Sequence, residues 1–275
     1  MNVVGLDLGR RNIKVFTGHQ FITFPAVVGE WREIKLANDL PKGGFWGTFQ
    51  GKRFFAGVLA EEESEFPRQM LVDNKATPDA LLLALIALHQ TNMTDFDVVT
   101  GVPVSLHDPE NKLALIKLLQ GSWEIEVNGV LRRVNIHRVR VAVEGGGAFW
   151  SNPKDGLVRI VDGGSKTINY ITMRNRRYVD RDSGTLNFGF DTNKTNDPSN
   201  LVARIAGELG KKWSSNDEVY TVGGEAESLA EYLRPYFPRV RVFQENRKVL
   251  NNGQLIDLNL FANAIGYYHI GRTVG

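Results

Sequence analysis

One near-repeat limits how this sequence can fold. Asp7-Leu8-Gly9-Arg10-Arg11-Asn12-Ile13-Lys14 and Asp162-Gly163-Gly164-Ser165-Lys166-Thr167-Ile168-Asn169 lie 155 residues apart (162 less 7) and align aspartate with aspartate, glycine with glycine, Arg11 with Lys166 and isoleucine with isoleucine. Each copy follows an apolar run, Val3 to Leu6 or Leu157 to Val161, and precedes another. The pattern predicts a strand, a tight polar turn and a returning strand, with backbone N–H groups at the tip beside one carboxylate. Two copies in 275 residues predict a duplicated, two-lobed body whose tips face each other across a cleft.

Such tips suit a nucleotide polyphosphate. Glycine lets the backbone approach closely, small polar residues donate hydrogen bonds, and a lysine neutralises phosphate charge as a compact ammonium. Mg²⁺ keeps most of its waters and needs only one or two carboxylates with phosphate oxygens, so Asp7 and Asp162 are the metal candidates, acting through water. A single octapeptide of this kind reads better as an ordinary surface turn with solvated cations. Its repetition immediately after predicted strands favours the phosphate site.

The rest of the chain reads as α/β. Short strands are expected at Val3–Leu8, Ile13–Thr17 and Phe21–Phe24, followed by a mobile glycine-rich stretch from Pro41 to Gly57. Thr77-Pro78 and Asp108-Pro109 start helices, the first apolar on nearly every face and so buried. A strand is expected at Phe96–Val102, and Asn128-Gly129 joins Trp123–Val127 to Val130–Ile136 as a hairpin. In the second half, strands are expected at Leu157–Val161, Thr167–Met173, Arg177–Val179 and Val219–Val222. Helices are expected from about Pro198 to Lys212, from Gly223-Gly224 to Leu233, and from about Asp257 to His269. The halves meet in polar sequence near Trp150–Gly156, giving lobes 1–150 and 151–275.

Composition narrows the function classes. The chain has no cysteine, which excludes disulfides and thiolate zinc sites. Its formal net charge of +2 is far from that of a dedicated nucleic-acid or membrane-surface binder. The longest apolar run, Ala80 to Leu88, is too short to span a bilayer, so a soluble, unprocessed cytoplasmic chain is expected.

The repeated motifs resemble those of the actin-type ATPase superfamily, in which two related lobes clamp ATP and Mg²⁺. The spacing is similar to that of plasmid-partition actins of the ParM type. The resemblance implies a duplicated, ribonuclease H-like, two-lobed fold. Asp7, Gly9, Arg10, Arg11, Asn12 and Lys14 would form the first phosphate motif, and Asp162, Gly163, Gly164, Ser165, Lys166 and Thr167 the second. Val141 to Phe149 is similar to the first connecting segment, where Glu144 would polarise the attacking water; its other reading is a glutamate favoured by a helix start. Gly223, Gly224 and Glu225 resemble the adenosine motif. The final helix, about 257–271, resembles the second connecting segment returning to the first lobe.

Only 54 residues (221 less 167) separate Thr167 from Thr221, enough for a short hairpin, a helix and a returning strand. The extra subdomain that most actins insert there (subdomain IIB) is expected to be missing, as in the small AlfA-type segregation actins. Gly163 replaces a usual apolar residue, and Asn169 a frequent second aspartate.

The resemblance implies an ATPase, with GTP as an alternative nucleotide, that assembles into helical filaments and moves plasmid DNA through a DNA-binding adaptor at a centromere-like site. Contact with DNA would be indirect. Two other functions fit the same motifs: a small-metabolite kinase like type III pantothenate kinase, for which Asp180-Arg181-Asp182 is the tempting acceptor base, and a nucleotide-sensing scaffold without turnover. Two arginine-rich regions, Arg132, Arg133, Arg138 and Arg140, and Arg174, Arg176, Arg177 and Arg181, read as contacts to DNA, adaptor or filament neighbours, or as solvated strand faces. His107, His137 and His269 lack metal-ligand spacing.

Overall fold

A computed structural model describes residues 1–35, 39–69, 75–192, 197–244, 248–251 and 253–273. The chain divides into two compact units. The first comprises Met1–Thr100, Asp108–Val141 and Gly271–Gly275, and the second Gly101–His107 and Ala142–Ile270.

The first unit is built on strands β1 (Asn2–Leu8), β2 (Asn12–Phe16), β3 (Phe21–Pro25), β4 (Val27–Glu30), β5 (Gly44–Phe49) and β6 (Lys52–Gly57). Helix α1 (Val58–Glu63), β7 (Arg68–Gln69), α2 (Pro78–His89), β8 (Asp95–Val102), α3 (Pro109–Leu119), β9 (Gly121–Val127) and β10 (Val130–Val143) follow. The strands join in the order β3-β2-β1-β8-β10-β9-β5-β6-β4-β7. Helix α2 forms where Thr77 and Pro78 predict it: the Thr77 hydroxyl accepts the Ala80 N–H at 3.2 Å, and every residue from Ala80 to His89 is buried. Asp108 caps α3 in the same way, accepting from the Asn111 N–H at 2.8 Å.

The second unit contains α4 (Gly146–Phe149), β11 (Leu157–Gly163), β12 (Ile168–Arg174), β13 (Arg177–Tyr178), β14 (Gly184–Leu186) and α5 (Pro198–Leu209). It continues with β15 (Val219–Val222), α6 (Ala226–Leu233), β16 (Val240–Val242), β17 (Lys248–Asn251), β18 (Gln254–Asp257) and α7 (Ala262–Thr273), whose last residues belong to the first unit. The main sheet runs β13-β12-β11-β15-β16, with β14 also on β12. Strand alternation sends neighbouring residues into different cores: Val161 joins Leu201, Ile205 and Leu229, while Ile160 joins Phe149, Ile171 and Phe243.

The two units repeat one local topology. β1 pairs antiparallel with β2 and parallel with β8; β11 pairs antiparallel with β12 and parallel with β15. Between β12 and β15 the described residues hold only the short strands β13 and β14, 3₁₀ turns and α5. No room remains in that interval for an inserted subdomain.

Three expectations differ from the structure. The glycine-rich stretch 41–57 is a regular hairpin, β5–β6, closed by Gln50 and Gly51, both at positive φ. Its glycines serve close packing: a Cβ on Gly47 would meet the Glu126 carbonyl oxygen of β9 at 1.9 Å. The final helix begins at Ala262 rather than near Asp257, because Gln254–Asp257 pairs with β17. The strand expected to end at Ile136 continues to Val143.

Candidate functional site

In the first unit the turn between β1 and β2 is shaped by Gly9. A Cβ there would stand 2.5 Å from the Asn12 carbonyl oxygen and 3.1 Å from Lys14 Nζ, so the turn admits no side chain. Asp7 lies directly opposite Lys14 across the hairpin, and Lys14 Nζ donates to Asp7 Oδ2 at 2.8 Å. The two side chains are only 14% and 8% exposed, so this is a largely buried charge pair. Ala26 N–H donates to the Arg11 carbonyl at 2.9 Å and ties the tip to the chain beyond β3. Arg11 is exposed, while Arg10 and Asn12 are partly buried.

The second unit builds the same turn. A Cβ on Gly164 would stand 2.6 Å from the Thr167 carbonyl oxygen, which accepts the Gly164 N–H at 3.1 Å. Phe190 and Asp191 N–H groups hold the Gly164 and Ser165 carbonyls at 3.2 and 2.8 Å, leaving Ser165, Lys166 and Thr167 half-buried at the tip. Here Asp162 lies opposite Asn169, the counterpart of Lys14.

Asp162 takes its partner from elsewhere. Asn263, on α7, donates from Nδ2 to Asp162 Oδ2 at 2.8 Å, while its Oδ1 accepts the N–H groups of Gly145 (2.9 Å) and Ala148 (3.0 Å). One buried amide therefore fixes the carboxylate and satisfies the start of α4, where N–H groups otherwise lack partners. Asn169 donates from Nδ2 to Glu144 Oε2 at 3.1 Å and accepts from the Thr185 hydroxyl at 2.8 Å. The Glu144 N–H donates to the Val102 carbonyl at 2.9 Å, so backbone and side chain are both held.

Gly223 joins this cluster at φ +98. Its Cβ would meet the Gly163 carbonyl oxygen at 2.8 Å and Asp162 Oδ1 at 3.3 Å. Gly224 is exposed, and Glu225 is the residue before α6. The second unit thus brings Glu144, Asp162, Gly163 and Gly223 to one place, with Gly164 to Thr167 continuing from it as the turn. Asn263 was missed in the sequence because nothing near residue 263 marks it; only its apposition to Asp162, 101 residues earlier, gives it a role.

Several of the remaining candidates find structural partners. Arg138 and Arg140 both reach Asp97, and Arg140 also donates to the Gly271 carbonyl at 2.9 Å. Arg133 pairs with Glu124 directly across β9–β10 at 2.9 Å, and Arg176 with Asp155 at 3.0 Å. These favour the strand-face reading for Arg133, Arg138 and Arg140, while Arg176 lies in the turn between β12 and β13. Asp182 accepts from the buried Arg159, which also binds Asp217 at 2.9 Å, so this candidate acceptor base sits in an internal ion-pair network. His137 pairs with Asp95 at 2.7 Å, which holds the Asp95 carboxyl below its ordinary range.

The described residues form no group of three or more His, Cys, Asp or Glu side chains able to cage a metal. Among the described residues no helix is long and apolar enough to cross a membrane.

The model of the N-terminal domain of actin-like proteins matches residues 5–147, more than half of the chain. No curated protein sequence matches. Among solved structures, the AlfA filament from a Bacillus subtilis plasmid, pLS32, superposes with a TM-score of 0.74 at 20% identity, covering 97% of each chain. A ParM filament from Clostridium botulinum gives 0.77 at 19%, over 99% of this chain and 100% of that one. An archaeal actin homologue, Ta0583, in complex with ADP gives 0.76 at 19%, again over 99% and 100%. With the motif-bearing hairpin built in each unit and the family model spanning the first of them, the chain belongs to the actin-like proteins and has their fold.

Proposed function

We propose that this protein is a filament-forming, nucleotide-hydrolysing actin-like ATPase that segregates plasmid DNA in the cytoplasm through a DNA-binding adaptor at a centromere-like site. The observation that carries it is the same glycine-shaped turn built twice, in the second unit beside an aspartate and a glutamate each fixed by a buried amide. The similar structures support it: one AlfA filament is bound to AMPPNP, Ta0583 is in complex with ADP, and ParM forms a 15-stranded filament.

In this reading the turns at Gly9 and Gly164 bring backbone N–H groups to the polyphosphate of ATP, or of GTP, assisted by Arg10, Arg11, Asn12, Ser165, Lys166 and Thr167. Lys14, now shared with Asp7, neutralises phosphate charge. Gly223, Gly224 and Glu225 accommodate the nucleoside. Glu144, held by Asn169, orients and deprotonates the attacking water, because phosphoryl transfer depends on positioning and electrostatics. Asp7 and Asp162 would hold Mg²⁺ through its waters, and the chemistry it would supply when bound is neutralisation of phosphate charge. Self-contacts that do not close a ring propagate as a helical filament, which hydrolysis then loosens.

Sedimentation with ATP, GTP and their slowly hydrolysed analogues, read together with phosphate release, tests this. Nucleotide-dependent pelleting with turnover is expected. A chain that stays monodisperse with every nucleotide overturns the filament reading, and bound ATP that remains intact for hours overturns the hydrolase.

A further inference from the structure

Glu144 is supported from two sides, and one tyrosine presses on both supports. The first support is the end of β8 and the turn after it. The Val102 carbonyl accepts the Glu144 N–H at 2.9 Å, and the Val104 N–H donates at 3.4 Å to Oδ1 of Asn169, the amide that holds the Glu144 carboxylate. The second is α4, which begins two residues after Glu144. Its early N–H groups, from Gly145 and Ala148, are held by Asn263 of α7.

Tyr267 stands four residues beyond Asn263, on the same face of α7, and is the largest of the fully buried side chains among the described residues. A Cβ on Gly101, the residue before Val102, would lie 1.8 Å from the Tyr267 hydroxyl oxygen and 2.5 Å from Cζ. A Cβ on Gly147, within α4, would lie 2.1 Å from Cε1 and 2.6 Å from Cδ1 of the same ring. The ring therefore rests on the bare backbone of both supports, in a slot that a side chain at either glycine would occupy. The helix cannot shift away from α4 to accommodate a different fit on one side only, because Gly266 is in backbone contact there: its Cβ would meet the Gly147 carbonyl oxygen at 1.7 Å.

We infer that Tyr267 is a positioning residue for Glu144: its ring is the spacer that sets the separation between the 101–104 segment and α4, and with it the place where the Glu144 carboxylate meets the attacking water. The inference rests on the hydrolase reading of Glu144 and extends it to a side chain outside the nucleotide motifs. Interiors are close-packed, so a shorter side chain at 267 leaves a void into which the two supports relax. A displacement of about 1 Å at a reacting group costs on the order of a hundredfold in rate, while binding of the nucleotide, which uses other residues, is spared.

Single-turnover hydrolysis, with affinity for a slowly hydrolysed ATP analogue measured separately, tests this. Tyr267→Leu should slow hydrolysis of bound nucleotide about thirtyfold or more with analogue affinity within about threefold of wild type. Tyr267→Phe, which keeps the ring, should stay within about fivefold in rate. Phe237→Leu, at a buried aromatic in the core of Leu201 and Leu229, is the control for lost packing alone and should leave the rate within about threefold. Gly101→Ala should slow hydrolysis about tenfold, and joined to Tyr267→Leu the two losses should combine to less than their product, because the added methyl fills space the leucine vacates. A Tyr267→Leu chain slowed no more than Phe237→Leu, one that loses affinity and rate equally, or a Tyr267→Phe chain as slow as the leucine variant overturns the inference and leaves the hydrolase reading intact. Should Tyr267→Leu not fold, Gly101→Ala decides, and a wild-type rate there overturns it. A wild-type chain that binds ATP without turning it over removes the hydrolase reading and the inference together.

Discussion

The two hairpin tips have the same backbone and opposite chemistry. Gly9 and Gly164 each sit where a Cβ would collide with the carbonyl three residues on, at 2.5 and 2.6 Å. Yet the residue facing the aspartate is Lys14 in one tip and Asn169 in the other. The first tip therefore satisfies Asp7 within its own hairpin by charge. The second satisfies Asp162 with Asn263 and frees Asn169 to hold Glu144. Replacing a cation by an amide changes a self-contained turn into part of a wider network, and under the proposed function the tips would serve different steps: charge neutralisation in the first, water activation in the second.

This division of labour can be broken at either tip. The largest effect is expected from Glu144→Ala, which should lower hydrolysis about 10²–10⁴-fold while nucleotide-dependent pelleting persists; phosphate release unchanged from wild type would take Glu144 out of the mechanism. Next comes Lys14→Met, which leaves the Asp7 carboxylate buried without its cation. Urea unfolding should show a loss of about 3–5 kcal/mol, with weaker nucleotide binding beside it. A variant as stable as wild type would show that the charge pair does not hold the first tip.

Asn263→Ala removes one donor and one acceptor from buried partners and should cost about 1–3 kcal/mol. Turnover should fall further than nucleotide affinity, because Asp162 loses its orientation; an equal fall in both would reduce Asn263 to a structural role. Asn169→Asp replaces the amide that donates to Glu144 by a second carboxylate, which repels it. Turnover should then fall further than nucleotide affinity, whereas unchanged turnover would disconnect Asn169 from Glu144. The smallest change is expected from Arg11→Ala at the exposed edge of the first tip, with stability within about 0.5 kcal/mol of wild type and a modest, salt-dependent loss of nucleotide affinity.

Elements governed by short-range rules were legible in the sequence. Thr77-Pro78 and Asp108-Pro109 start helices in the structure, and Asn128-Gly129 turns β9 into β10. The candidate site was half legible. Asp7, Gly9, Asp162 and Gly164 announce themselves because the repeat preserves their spacing, whereas Asn263 sits in a segment that reads as an ordinary packed helix. The stretch 41–57 shows the reverse case. Its glycines suggested mobility, but Gly47 is small because β9 passes against it, a fact carried by residue 126 and not by the local composition.

The sequence by itself determined that two strand–turn–strand units with glycine-shaped tips would form, since steric limits on the backbone and alternation of apolar residues act over a few positions. Only tertiary structure decided what surrounds each carboxylate. A buried acid must find a donor, and one for Asp162 comes from the last helix of the chain, one for Glu144 from a strand 25 residues on.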